Sequence, residues 1–372
     1  MTKPEWRMRN EIRMLQCPKF DDSNFVIDSA FLIDSLRSPS GLVSLVCLAS
    51  LGSGFVILSL SMKNTLLFLA LALPTFAFDI TVADKDHVAV ANGGKVVAKL
   101  MMANDLSTPE KHHETYKPYM HIFSPDGSTR LTKGAGFSFT HHRGIFLGFA
   151  KINYGGKSYD RWHMKGGDQV VTKVAPGDNT FTANIDWQGD TTAPFLTEER
   201  RFSFTTPAKP FYLGIEMNSA LKTVSGEADM SGDPEHAGAQ FRPSELVDTQ
   251  STTYIFPGEK IDAHKAKDLP WAAEVFTIEG KTFTVVILNH PDNPKDTATS
   301  AYRDYGRFGM FPKGKATADV PFKLRYQWLI AEGGVRDAAV FQGAWNAFAG
   351  KSDPVPAITI KASERKAAKP TK

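Results

Sequence analysis

All ten histidines of the 372-residue chain lie between His87 and His290, after Met62, whereas both cysteines, Cys17 and Cys47, precede it. A neutral imidazole can pass a proton near neutral pH or ligate zinc, copper or iron. The densest group is His141-His142-Arg143-Gly144, which follows a glycine-rich stretch at Lys133 to Gly136. On a strand the two imidazoles would point to opposite faces, so at most one would enter a common pocket. On a loop both could converge.

A second group is Glu235-His236-Ala237-Gly238-Ala239-Gln240-Phe241-Arg242. If extended, it puts His236, Gly238, Gln240 and Arg242 on one face, a polar row presented either to a ligand or to solvent. Gly238 would leave room for a substrate beside the backbone. A third histidine, His290, follows the apolar run Thr284 to Leu288 and is fixed by Pro291, with Asp292 and Asn293 as turn formers and Arg303 further on. Tyr119 and His121 alternate on one strand face, and Trp162 adds an aromatic surface. Aromatic rings beside carboxylates and guanidinium groups suit a sugar: the rings stack on its apolar face while the polar groups grip its hydroxyls.

The elements that must position these groups are mostly strands. Beyond residue 80 the hydrophobic period is close to two, with turn residues at short intervals. Asn92-Gly93-Gly94 and Tyr154-Gly155-Gly156 predict tight hairpins. Phe181, Ala183, Ile185 and Trp187 alternate with polar residues, and Lys323 to Ala331 reads as the last long strand. One helix is predicted over Val335 to Phe348, stopped by Gly350. The glycine- and proline-rich stretches 224–243 and 289–320 read as long loops. The expected fold is all-β, a large two-sheet antiparallel sandwich with one C-terminal helix.

Met62 opens a leader-like segment: Lys63, an apolar run from Leu66 to Leu73, Pro74, and Thr75-Phe76-Ala77 as a cleavage site. The chain therefore divides into an upstream extension (1–61), a signal peptide (62–77), a single sandwich domain (78–361) and a basic disordered tail (362–372), with the product periplasmic or secreted. The alternative is an uncleaved apolar hairpin or anchor across residues 42 to 78. Without thiols after cleavage, cysteine zinc sites, thiol nucleophiles and iron–sulfur clusters are excluded. With 42% hydrophobic and 22% charged residues and a net charge of +3, the composition is that of a globular protein. It has no clustered basic face for nucleic acid. There is no Walker loop, dinucleotide fingerprint, GxSxG elbow or HExxH, so no nucleotide cofactor is expected.

The ordered set Tyr119-Met120-His121, Ser124-Pro125-Asp126-Gly127, His141 to Gly144, Glu235 to Arg242, His290 to Pro294 and Tyr305-Gly306 resembles one family across residues 85 to 335. It is the exported bacterial family of uncharacterised proteins often labelled "methane oxygenase PmoA". Phe139-Thr140 stands where that family tends to read Asp-His-Pro. The resemblance implies a β-sandwich whose histidine motifs form a shared site, in proteins associated with carbohydrate breakdown. Methane oxidation is not expected, because the mature part lacks an apolar run of about twenty residues.

The residues thus predict a sugar-processing enzyme, a hydrolase, lyase or epimerase, or alternatively a non-catalytic carbohydrate-binding or cell-surface module. His142, Glu235, His236 and His290 are the candidate catalytic groups. Tyr119, His121, Arg143, Trp162, Gln240, Arg242 and Arg303 would hold substrate. A divalent metal is a candidate cofactor, with His141, His142, His236 and His290 as its ligands. On this reading, protein exported with its own leader begins at Phe78 when its N-terminus is sequenced. A product retaining Lys63 would refute the cleavage.

Overall fold

The computed structural model describes residues 55–62, 65–72, 78–230 and 235–364, the first two stretches by backbone alone. The chain divides into two units, Met1–Thr75 and Phe76–Lys372. In the first, Phe55–Met62 and Thr65–Ala72 pair as antiparallel strands. Residues 1–54, the expected cleavage point at Ala77 and the tail from residue 365 lie outside the described residues.

The second unit is a β-sandwich. One sheet has nine antiparallel strands in the order Gln169–Gly177, Thr180–Gln188, Pro194–Thr205, Phe211–Thr223, Phe322–Glu332, Lys281–Asn289, Trp271–Ile278, Thr253–Pro257 and Ile358–Ala362. The other has eight: Ala298–Ala301, Phe308–Phe311, Ala237–Phe241, Ile145–Phe149, Tyr119–Ile122, Lys95–Met101, His87–Asn92 and Phe78–Ala83. Alternation builds the core, since Phe181, Ala183, Ile185 and Trp187 are all buried as their spacing requires. Phe241 of the smaller sheet meets Phe276 of the larger one at 5.9 Å between rings.

Two stretches read as loops contain strands. Glu227–Met230 and Ala237–Phe241 lie in the first, and Ala298–Ala301, Phe308–Phe311 and Gly314–Thr317 in the second. Glycine masked them by interrupting the side-chain alternation while allowing close strand approach. At Gly238, with φ +74°, a Cβ would fall 2.2 Å from the Met310 carbonyl oxygen. The space beside Gly238 is filled by the neighbouring strand, not left for a substrate. An unexpected four-stranded sheet joins Gly314–Thr317, Glu227–Met230, Ile152–Tyr154 and Lys157–Tyr159.

The C-terminal helix runs Ala338–Ala349. Asp337 caps its start by accepting from the Ala339 N–H at 2.8 Å, and Gly350 ends it at φ +62°. Phe341, Trp345 and Phe348 pack on Trp271, Ala273, Val275, Val286 and Leu288, the face of the nine-stranded sheet opposite Ala272, Phe276, Val285 and Ile287. A short helix, Pro109–Thr115, carries His112 and His113. No helix of the described residues is long and apolar enough to cross a membrane. Phe341→Ala should lower unfolding stability by about 3–5 kcal/mol in urea titrations; a loss below about 1 kcal/mol would show that the helix adds little to the fold.

Candidate functional site

The paired histidines sit in a loop whose two ends are clasped by one residue. The Lys133 N–H donates to the Arg242 carbonyl at 3.0 Å, the Arg242 N–H to the Gly144 carbonyl at 3.0 Å, and the Gly144 N–H to the Lys133 carbonyl at 2.8 Å. Between these ends Phe137 and Phe139 adopt φ of 55° and 54°, so the segment cannot run as a strand. The His142 N–H turns back to the Phe139 carbonyl at 2.8 Å. Both imidazoles therefore point toward one region, as only the loop alternative allowed.

Four histidine rings form a chain there. His141 and His142 are 4.3 Å apart between centroids, His141 and His163 4.5 Å, and His163 and His236 5.0 Å. Trp162 lies edge-on to His142 at 6.3 Å and to His236 at 5.6 Å. His163 is held from behind: Asp160 accepts its N–H at 2.8 Å, the Trp162 N–H at 3.0 Å, and the ring Nδ1 proton at 2.9 Å. With Nδ1 engaged, the Nε2 lone pair of His163 is left for chemistry. Asp160 stays below the usual carboxylate range, because the bonds from His163 and Trp162 outweigh the burial that would raise it.

Beside this chain is a cavity of about 550 Å³ lined by Lys133, Phe137, Phe139, His142, Arg242, Glu245, Asp304 and Tyr305 among others. Phe137 and Phe139 are 71% and 48% exposed, and the Phe139 ring stacks on His142 at 5.3 Å. Arg242 is 1% exposed, and none of its three guanidinium nitrogens has a hydrogen-bond partner among the described residues. Its nearest aromatic face is Trp162, 6.0 Å from the ring centroid. The His142 Nε2 is equally buried and unpartnered among them. Burial and then Arg307 bring the Arg242 pKa down to about 9. Burial lowers Lys133 to about 8. Burial and neighbouring cations, Lys117 foremost, lower His141 to about 2, and burial with Arg242 takes His142 lower still. Both imidazoles are neutral at physiological pH.

Other predicted residues fall elsewhere. Arg143 is buried and spends its guanidinium on the carbonyls of Thr140 at 2.9 Å, Glu114 at 2.8 Å and His113, with Tyr116 4.2 Å beneath it. It anchors the loop to the short helix, with each of its three guanidinium nitrogens bonded to a backbone carbonyl. His290 does not join the cluster. Its Nε2 is 3.0 Å from Arg325 and its ring 5.2 Å from Phe348, on the outer, helix-covered face of the larger sheet. His121 bonds Thr132 at 3.0 Å and packs on Tyr119 at 5.0 Å. Gln240 is buried and donates to the Ala237 and Ala239 carbonyls, so the polar row is not on a wet face.

Glu235 receives the Tyr302 hydroxyl at 2.7 Å, Arg303 at 2.9 Å and Arg307 at 3.2 Å. Burial would raise it, but these partners hold it at about 2, ionised. It is thus an ion-pairing group and not a proton donor, and Arg303 is engaged with it. Among the described residues no three His, Cys, Asp or Glu side chains are arranged to hold a metal ion, and the expected four-histidine set fails at His290. The sequence reading missed Asp160, His163 and Lys117. An Asp three residues before a His in a hairpin turn is the signal that could have found the first two. Lys117 is buried over Phe146 at 4.0 Å, where burial lowers it well below the usual range.

A family described only as of unknown function, DUF6807, matches residues 87–346. No curated protein matches. Solved structures that align include YeaD from Salmonella typhimurium, at 11% identity over 70% of this chain and 96% of that one, with a TM-score of 0.29. A galactose mutarotase related enzyme from Lactobacillus acidophilus aligns at 10% identity over 70% and 98%, TM-score 0.29. A GH36 α-galactosidase from Geobacillus stearothermophilus aligns at 9% identity over 70% and 40%, TM-score 0.34.

Because His141 is depressed from 6.5 to about 2, the unfolded chain takes up a proton that the folded site refuses, and stability falls as pH drops below 6.5. The melting midpoint should fall between pH 7 and 5.5, and His141→Gln should flatten part of that slope. An imidazole resonance of His141 that titrates near pH 6.5 would contradict this.

Proposed function

The chain belongs to the family of unknown function DUF6807, and we propose that it binds a sugar or glycoside in the cavity beside the histidine loop and acts on it by histidine acid–base chemistry. The observation that carries this reading is the pairing of two kinds of surface in one cavity. Phe137, Phe139 and Tyr305 give it an aromatic wall, while Arg242 and the His142 Nε2 bring buried polar groups that nothing described in the protein satisfies. Groups buried without partners are costly, and a polyhydroxylated ligand supplies the missing ones.

The roles follow from the electrostatics. His163 is the group assigned to exchange a proton, because the bond from its Nδ1 to Asp160 fixes the ring's tautomer and orientation and leaves Nε2 unengaged by that carboxylate. His142, kept neutral, polarises a substrate oxygen as a hydrogen-bond donor or orients it as an acceptor. Arg242 holds substrate oxygens where charge develops. The leader-like segment from Met62 to Ala77 supports action outside the cytoplasm.

Purified protein offered a panel of monosaccharides, disaccharides and glycosides, followed by NMR for binding and for product, tests the reading. A turned-over substrate is expected, with His163→Ala and Asp160→Asn each lowering kcat about 10²–10⁴-fold and leaving binding nearly intact. Saturable binding without product would assign a binding module on the Phe137 and Phe139 surface. No binding to any sugar would remove the proposal.

A further inference from the structure

The cavity has a surplus of positive charge. Of its lining carboxylates, Glu245 is committed to Arg130 at 2.5 Å, which leaves Asp304 to set against the two lining cations Lys133 and Arg242. Lys117 lies just behind, with its ammonium donating to the Trp162 carbonyl at 3.0 Å and resting on the Phe146 ring. Arg307 adds a further buried cation, shared between Glu235 and Tyr302. The fully buried Glu274 does not hydrogen-bond Arg242, whose guanidinium nitrogens all lack partners among the described residues. Burial pushes it well above the usual carboxylate range against the pull of Arg242 and Tyr254.

A guanidinium is a rigid fork that matches two oxygens of one anion, and buried charges in folded proteins are paired or serve to receive a partner. The backbone of Arg242 is fixed by its bonds to Lys133 and Gly144, and its side chain is among those lining the cavity, with all three guanidinium nitrogens buried and without a partner among the described residues. We propose that the ligand of this cavity carries an anionic oxygen substituent, as an acidic sugar does, and that Arg242 receives it. The inference rests on the sugar reading above and names the substrate class within it. A carboxylate, a phosphate ester and a sulfate ester share the required chemistry.

The test is calorimetric or NMR titration of the wild-type chain with matched pairs: glucuronate and galacturonate against glucose and galactose, and the 6-phosphates and 6-sulfates of the same sugars. At least one acidic series should bind about tenfold or more tightly than its neutral counterpart, with affinity falling as salt rises. The series that does so identifies the substituent. Arg242→Lys, which keeps the charge and loses the fork, and Arg242→Met should bring the pair toward parity. If both variants fail to fold, the wild-type discrimination and its salt dependence still decide. Equal binding of acidic and neutral sugars would overturn the anionic inference and leave the sugar reading standing. If no sugar of either kind binds, the sugar reading falls; Arg242-dependent binding of inorganic phosphate, sulfate or acetate would then still support the oxyanion site, and its absence would overturn both.

Discussion

Arg242 plays two parts that constrain each other. Its peptide group closes the ends of the 133–144 loop, donating to Gly144 and accepting from Lys133, which fixes its Cα beside the loop. Its guanidinium lies in a buried place with no partner among the described residues. Everything else in the site adapts to that charge. The imidazoles of His141 and His142 stay neutral partly because of it, and the Trp162 face lies toward it. Arg143, next to the pair, performs the opposite service: each of its guanidinium nitrogens bonds a backbone carbonyl, and the residue pins the loop to the short helix.

The sandwich decides which motifs can meet. Along Trp271–Ile278 the odd positions face the C-terminal helix and the even ones the inter-sheet core, so Glu274 is buried on the side of Phe276. The chain leaves the partner strand, Lys281–Asn289, with His290 packed against Phe348, and the whole sheet then stands between His290 and the other histidines. A residue shift of one would have reversed these assignments, which is why proximity in sequence pattern does not guarantee convergence.

Much of the fold was legible. Alternation marked the long strands, and Gly350 marked the helix end because only a left-handed residue stops a helix there cheaply. What escaped were short strands rich in glycine, where pairing is secured by backbone approach instead of side-chain pattern, as at Gly238 against Met310. In the site, the His141-His142 pair and Arg242 were readable as polar groups of unusual density. Which of Arg143 and Arg242 would be free was not readable, since the difference lies in carbonyls contributed by a helix about thirty residues away in the chain. His163 was overlooked because its importance comes from Asp160 and from the ring stack.

The cationic surroundings also decide how labour divides among similar side chains. An imidazole that is buried, and flanked besides by Lys117 and Arg242, loses basicity, so His141 and His142 are poor bases however well they are placed. His163 differs from them in its surroundings, since its Nδ1 is bonded to the Asp160 carboxylate at 2.9 Å. One set of rings can therefore orient a substrate as neutral hydrogen-bonding groups while another exchanges its proton. On the proposed function, the same field that helps weaken the first pair would favour any negative charge that develops on the bound molecule, so binding and proton transfer would draw on one electrostatic source.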